Sequence, residues 1–386
     1  MYKVYVVRCP DYEQVGAKMA ELLAMMGGMD QFAAPDEKIV LKVNLLRPAE
    51  PEKAITTHPA IVAAVGRLAQ NEGASPIVAD SPGSGYQYTY KTLDKFYRTC
   101  GMYEAAKEAG LEVNLDTTYR AVSFPEGRLI KRFEIITPVV EADGVFNLCK
   151  LKTHLLTGMT AAVKNNFGVI PGLAKPGYHA KLQSKNHFAN MLLDLATCVS
   201  ARLSIMDAVV GMEGAGPNAG DPRHIGLLLA AKSPLALDVV ASEIIGLSRA
   251  NNPVLLEAEK SGLLPNRLEQ VQIIGAYMAD LRIPDYKVPS TLVEGTSFVR
   301  RSPRWQRALE PLFKGGLTLR PRVVKGRCVA CGTCQSACPV EAITMVNSRH
   351  AKVDDKECIR CYCCHEMCPH DAIELRPSLL YRIMSG

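Results

Sequence analysis

The sequence is short of aromatic side chains: Phe, Tyr and Trp make up 6% of 386 residues, and tryptophan occurs once. Its basic stretches therefore lack the interleaved rings on which nucleobases stack, and no nucleic-acid-binding motif is legible. A formal net charge of +6 is modest for a chain of this size and does not by itself call for a polyanion. No run of about eighteen uncharged apolar residues occurs, so no membrane span is expected. The N-terminus, MYKVYVVRCPDYE, has no basic flank leading into an apolar segment and no small-residue cleavage site, so export is not expected either. Four cysteines, Cys9, Cys100, Cys149 and Cys198, stand singly among apolar residues. That is the pattern of free thiols in a reduced compartment, not of a disulfide framework, and the expected location is the cytoplasm. A nucleotide loop is missing too. GMEGAGPNAG, residues 211–220, fits neither G-x-G-x-x-G before a helix nor the Walker spacing, because the GLLLAA that follows reads as a strand. Its glycines read as positions where backbone approaches a ligand or another segment closely.

The other nine of the thirteen cysteines lie after residue 327. They form the runs CVACGTCQSACPVEA from Cys328 and CIRCYCCHEMCPHDA from Cys358, each with the pattern C-x2-C-x2-C-x3-C-P. Three cysteines within seven residues let a tight loop wrap one face of an iron–sulfur cube, while the fourth, followed by proline, turns away to the other cluster. Two [4Fe-4S] clusters are expected, one held by Cys328, Cys331, Cys334 and Cys368, the other by Cys358, Cys361, Cys364 and Cys338. Zinc also uses C-x2-C pairs, but two complete quartets with terminal proline and the following PVEAI and PHDAI favour iron–sulfur. Cys363 is the departure, either a spare thiol or a competitor for ligation; since Cys364 keeps the motif, the spare thiol is the expectation. Over residues 323–376 the module resembles the two-cluster bacterial ferredoxins, and the resemblance implies one-electron transfer.

The larger part of the chain reads as α/β. Apolar runs of strand length recur at 4–7, 38–43, 76–80, 144–148, 203–210, 226–231 and 271–276, with helix-period segments between them. In THPAIVAAVGRLAQNEGA, for example, Thr57 stands as a cap and Pro59 in the first turn, while Ile61, Val62, Val65, Leu68 and Ala69 share a face. This alternation predicts a large, mostly parallel sheet with helices on both faces, joined to a small α+β ferredoxin-like domain. The expected divisions are an α/β domain over 1–298, a basic linker over 299–322, the cluster domain over 323–376 and a tail over 377–386. Between Arg300 and Arg327 nine Lys or Arg stand against Glu310 alone. That stretch reads as a solvated connector, or, through its Trp305–Phe313 segment, as a docking helix for an acidic partner or a membrane surface.

The densest polar block is NLCKLKTHLLTGMTAAVKNNFGVIPG, residues 147–172. It follows a buried strand, placing Lys150, Lys152 and His154 where open α/β sheets bind ligands. Lys42, Lys150, Lys152 and Lys164 are candidates to clamp a carboxylate or phosphate, with Asp80 facing the same crevice. The bland alternative is a solvated basic face. His154, Asp207 and Glu213 are candidate proton carriers, the two carboxylates flanking one pocket, unless they serve as partners for the lysines. His154, His179 and His187 are also weighed as ligands for a further metal, a rarer role than that of hydrogen-bonded structural histidines.

KVNLL, DSPG, the Lys-Thr-His block and DAVVGMEGAGPNAGDPR together resemble the family catalogued as domain of unknown function 362, over about residues 3–276. The resemblance implies an iron–sulfur protein of anaerobic or redox metabolism whose large domain holds a pocket. The expected function is a ferredoxin-fused reductase that passes low-potential electrons to a small anionic substrate or cofactor. The alternatives are a non-catalytic electron-carrier adaptor docking redox partner proteins, and a metal-cofactor maturation factor.

Overall fold

The structure, a computed structural model, describes residues 1–289 and 319–377. Most of the expected linker, with its Trp305–Phe313 segment, and the tail from residue 378 lie outside the described residues.

The strands of the large domain are β1 (Tyr2–Arg8), β2 (Lys38–Lys42), β3 (Ser75–Ala79), β4 (Glu112–Val113), β5 (Tyr119–Ser123), β6 (Arg132–Ile136), β7 (Gly144–His154), β8 (Gly158–Thr160), β9 (Leu203–Glu213), β10 (Asp221–Ala231) and β11 (Val271–Ile274). Nine of them form one sheet in the order β11-β1-β10-β9-β7-β2-β3-β4, with β8 folded back on β7. The run from β9 through β7, β2 and β3 to β4 is parallel, as is β1 beside β11. Only β10 with its two neighbours, and β8, pair antiparallel. The mostly parallel α/β sheet is thus present, and all seven apolar runs are strands of it. A parallel sheet covered on both faces buries its strands nearly throughout, and every residue of β7 is buried.

Two apolar cores lie on opposite faces. One packs the helices Lys185–Val199, Pro234–Ile244 and Pro253–Lys260; the other packs Val15–Met25, Pro59–Asn71, Tyr90–Thr99 and Met102–Ala109. Gly101, left-handed at φ 69°, divides the last two. The cap of helix Pro59–Asn71 is His58, not Thr57: the His58 ring accepts from Ala60 N. Thr57 Oγ1 instead donates to the Leu148 carbonyl and accepts from Asn44 N, tying strand end to strand end.

In the cluster module β12 (Leu319–Val323) pairs with β15 (Ile373–Pro377), and β13 (Ile343–Val346) with β14 (His350–Val353). Short helices Thr333–Ser336 and Cys363–Met367 join them. β12 lies partly inside the stretch expected as linker and is held along its whole length by β15.

Candidate functional site

Each cysteine quartet surrounds its own cavity. Cys328, Cys331, Cys334 and Cys368 line one; Cys338, Cys358, Cys361 and Cys364 line the other. The loops coil tightly enough to do this because Ala330 and Gly332 in the first, and Arg360 and Tyr362 in the second, sit at positive φ of 58–80°. Backbone amides already aim at sulfur: Ala342 N donates to Cys338 Sγ and Ala372 N to Cys368 Sγ, both at 3.2 Å, and Ala351 N to Cys328 Sγ at 3.4 Å. The alanine that follows each Cys-Pro pair is thus the donor to its own cysteine. Among the described residues no three His, Cys, Asp or Glu side chains converge closely enough for a single metal ion. Thiols spread around a cavity suit a cluster instead, and the donor set is that of iron–sulfur proteins. Cys363 joins neither cavity; it is fully buried against Ala337 and Met367, and its thiol hydrogen-bonds to Cys361.

A cavity of about 60 Å³ opens at the carboxyl ends of β2 and β3, where the parallel part of the sheet meets the cluster module. Lys42, Asp80, Lys152 and Lys164, all singled out by the sequence, line it together with Lys175, His179 and Thr160. Glu366 and Met367 of the cluster module complete the wall. Lys42 Nζ pairs with Asp80 Oδ1 at 3.0 Å, both buried, and donates to the Val43 carbonyl at 2.5 Å. Asp80 is saturated by Leu45 N at 2.8 Å and Ser81 N at 2.9 Å. Lys152, 1% exposed, donates to Asn44 Oδ1 at 2.9 Å and to the Ile55 carbonyl at 2.5 Å, with no carboxylate partner. Burial, then Lys164 and Lys150, push its pKa well below the usual lysine value. Half-buried Lys164 is lowered too, by burial, against the pull of Glu366. Asp238 accepts from Ala162 N at 2.6 Å and Val163 N at 3.2 Å, anchoring the start of the short helix Ala162–Asn165 that carries Lys164.

Lys175 was missed by sequence reasoning. It lies in GLAKPG, which reads as a turn, yet helix Ala174–Lys181 buries it to 4% exposure. Burial draws its pKa to about 7. Its Nζ nevertheless donates to Ser81 Oγ, the Ser81 carbonyl at 3.3 Å and the Pro82 carbonyl at 2.6 Å. Since Ser81 Oγ gives its own hydrogen to the Ile170 carbonyl, three donors are required of Lys175, which favours the ammonium at neutral pH. Glu366 and Met367 were missed because they belong to the other module.

Three of the expected convergences do not occur. β7 continues through His154 instead of ending near residue 148, and a bulge between Lys150 and Lys152 sends the two lysines to different places. Lys150 pairs with Asp207 at 2.8 Å, both fully buried, and Tyr12 bridges them, donating to Asp207 Oδ1 at 3.0 Å and accepting from Lys150 at 2.8 Å. Neither lines the cavity. Glu213, at the far end of β9, accepts from Lys287 N and pairs with Lys287 Nζ, each at 3.2 Å. The two carboxylates serve as partners for lysines and flank no common pocket. His187 is exposed, and His179 stacks on Phe188 with centroids 4.4 Å apart, its pKa pushed by burial to about 3.

His154 does reach the module interface. Its Nδ1 accepts from Leu156 N at 3.0 Å, so Nε2 carries the hydrogen, and Nε2 lies 3.2 Å from Glu366 Oε1. The distance is that of an ion contact, but neither atom has an aligned hydrogen bond. Burial keeps His154 neutral, well below the usual histidine range, and lifts Glu366 to about 7 against Lys164 and Lys152.

An α/β body joined to a module with two cysteine quartets defines an iron–sulfur protein. The chain belongs to the family described as Domain of unknown function (DUF362), whose model matches residues 39–243, and a 4Fe-4S dicluster domain model matches residues 321–375. A thylakoid-associated protein of Synechocystis is 33% identical over 299 residues, 75% of this chain and 88% of that one. Among solved structures, the lactate racemase apoprotein of Thermoanaerobacterium thermosaccharolyticum aligns with TM-score 0.40 and 10% identity, over 64% of this chain and 57% of that one. A Thermotoga maritima structural-genomics protein aligns with TM-score 0.33 and 12% identity, over 56% and 55%. The chain thus spans less than two thirds of either structural neighbour. No helix among the described residues is long and apolar enough to cross a membrane.

Proposed function

We propose that the chain is a ferredoxin-fused reductase: two [4Fe-4S] clusters receive electrons from a low-potential carrier protein and deliver them to a small anion bound in the lysine-lined cavity. The observation that carries this reading is the shared wall. Glu366 and Met367, placed between Cys364 and Cys368, line the same cavity as Lys42, Lys152 and Lys164, so an anion held there lies against the cluster-bearing segment. The clusters supply one-electron transfer. The chain's own residues bind and neutralise the anion through ammonium groups, and the buried walls exclude water. Glu366 in the cavity wall, with His154 Nε2–H 3.2 Å from its Oε1, is the route for protons that a reduction consumes. The buried free thiols Cys9, Cys100 and Cys149 fit a reduced compartment.

The test is anaerobic purification with iron and sulfide analysis, expecting about eight of each per chain. Chemically reduced protein is then mixed with small anionic acceptors. Reoxidation should be slowed by Lys152→Met and Lys164→Gln without change in the cluster spectrum. Reoxidation indifferent to both substitutions for every acceptor would turn the reading toward the electron-carrier adaptor, whose body only docks partners.

A further inference from the structure

The cavity's unused hydrogen-bond donors say what kind of anion it takes. Lys42 and Lys152 each spend two of three ammonium hydrogens on protein oxygens. Lys164 makes no hydrogen bond or ion pair among the described residues. Thr160 Oγ1 is buried at the same cavity with no hydrogen-bond partner among the described residues. A buried hydroxyl left unpaired costs about 1–3 kcal/mol, and unpaired buried polar atoms are rare enough to require an explanation. Four lysines face the cavity against two carboxylates, Asp80 and Glu366, and Asp80 is already committed to Lys42 and two backbone amides. Glu366 Oε1 is itself unpaired, yet four lysines face only these two carboxylates, so the site is short of negative charge, which is the complement of an oxyanion. The ammonium groups of Lys42 and Lys152 are already held by protein oxygens, so little of their ordering entropy remains to be lost on binding.

Size narrows the class. A cavity of about 60 Å³ has room for about four to six water-sized atoms. A nucleotide, a flavin or a dinucleotide is several times too large. Leu46, Phe167 and Met367 add apolar surface to the wall, and Asn44, Ser81, Ser84 and Asn165 line the rest of it with short polar groups. We infer that the ligand is a small oxyanion of about six heavy atoms or fewer, an inorganic oxyanion or a short carboxylate, gripped by Lys42, Lys152, Lys164 and the hydroxyl of Thr160. The inference deepens the reductase reading and rests on the cavity being its acceptor site. Burial lowers the pKa of Lys152 and Lys164, and an anion would restore the charge that burial opposes.

Calorimetric titration of the anaerobic, cluster-loaded full chain tests this with sulfate, phosphate, formate, oxalate and AMP. At least one of the four small oxyanions should bind, and AMP should not compete with it. Sulfate or phosphate as the tighter ligand would mark the inorganic class, and formate or oxalate the carboxylate class. Lys164→Gln and the near-isosteric Thr160→Val should each weaken binding by about tenfold or more, the effect of losing one hydrogen bond to a charged group. Unchanged cluster absorbance and circular dichroism would show that the variants fold. Failure of all four to bind, binding indifferent to both substitutions, or competition by AMP would overturn the inference. An oxyanion that binds as expected but never reoxidises the reduced clusters would sink the reductase reading while leaving this one standing. Reduction of a neutral acceptor in a cavity that binds no oxyanion would do the reverse.

Discussion

Replacing Gly85 with alanine should separate the two modules without touching either set of chemical groups. Gly85 sits at φ +92°, and a Cβ there would lie 2.7 Å from the Ala337 Cβ and 3.1 Å from the Thr333 carbonyl oxygen. Carbon atoms in contact prefer about 3.5–4.0 Å, so helix Thr333–Ser336 and the residue after it must retreat by about 1 Å. The left-handed backbone costs an alanine about 1–2 kcal/mol, and overpacking a tight contact costs about 1–3 kcal/mol. The sum, about 2–5 kcal/mol, falls on the contact that seats the module. Ala337, Cys363 and Met367 form one small apolar cluster with Leu46 and Tyr86, so displacing Ala337 loosens Met367 at the cavity wall. Hydrogen exchange of residues 363–367 should rise in Gly85→Ala, oxyanion affinity should fall, and iron content should stay the same. If exchange and affinity both match the parent protein, the close approach at Gly85 does not seat the module and the argument from the shared wall is lost.

Lys42→Met strands the buried Asp80 carboxylate and should cost about 3–5 kcal/mol in chemical unfolding of the large domain; adding Asp80→Asn should recover most of it. Lys150→Met should be similarly destabilising through Asp207, yet leave anion affinity unchanged, because Lys150 lies outside the cavity; a loss of affinity would contradict that placement. Burial draws the Lys175 pKa to about 7 while its three acceptors favour the ammonium at neutral pH, so its charge and its attraction for an anion are lost on the alkaline side. Affinity should therefore fall as pH rises through about 7 with proton uptake on binding, and Lys175→Met should remove that part of the slope. Cys363→Ser should keep the full iron and sulfide content while shifting the reduction potential of the cluster held by Cys361, since hydrogen bonds to cluster sulfurs set potentials; Cys364→Ser should lose that cluster.

Much of this is legible in the sequence. Strand runs such as KIVLKV and LSIMDAVV are apolar throughout because the sheet is covered on both faces, and that continuity is visible in one dimension. The strands of hairpin β5–β6 were not legible: β5 is largely exposed and β6 buries only Phe133, Ile135 and Ile136, so neither is a continuous apolar run. The partition of the cysteines followed from spacing, which the tight loops enforce locally. The lysines were harder. Lys150 and Lys152 share a strand face by alternation, and only the bulge between them decides that one meets Asp207 while the other meets Asn44. No residue type marks that bulge. Glu366 was hidden for a different reason: its neighbours in the sequence are cluster cysteines, and its neighbours in space are lysines some two hundred residues earlier.

The body holds the module at widely separated points, and this bears on whether the clusters act as a fixed wire or a swinging carrier. Gly85 abuts the helix beside Cys334. Asn218, in the glycine-rich turn between β9 and β10, donates to the Cys368 carbonyl at 3.0 Å and to Asp371 Oδ1 at 3.1 Å, while Arg47 donates to its side-chain oxygen. Gly216 lets that turn press close over Thr153, where a Cβ would meet the Thr153 carbonyl oxygen at 2.2 Å. The glycines thus bring the turn to a neighbouring segment and leave Asn218 free to grip the module. His154 adds the contact with Glu366. A carrier that must leave its body to meet partners would gain nothing from buried polar contacts that have to be broken at each excursion. Contacts at Gly85, Asn218 and His154 instead fix Glu366 and Met367 against the lysines, which is the geometry a reductase with an internal electron donor requires. Asn218→Ala should therefore loosen the module and weaken oxyanion binding together, although Asn218 touches no ligand; if the module loosens and the affinity holds, the wall formed by Glu366 and Met367 is dispensable and the adaptor reading gains.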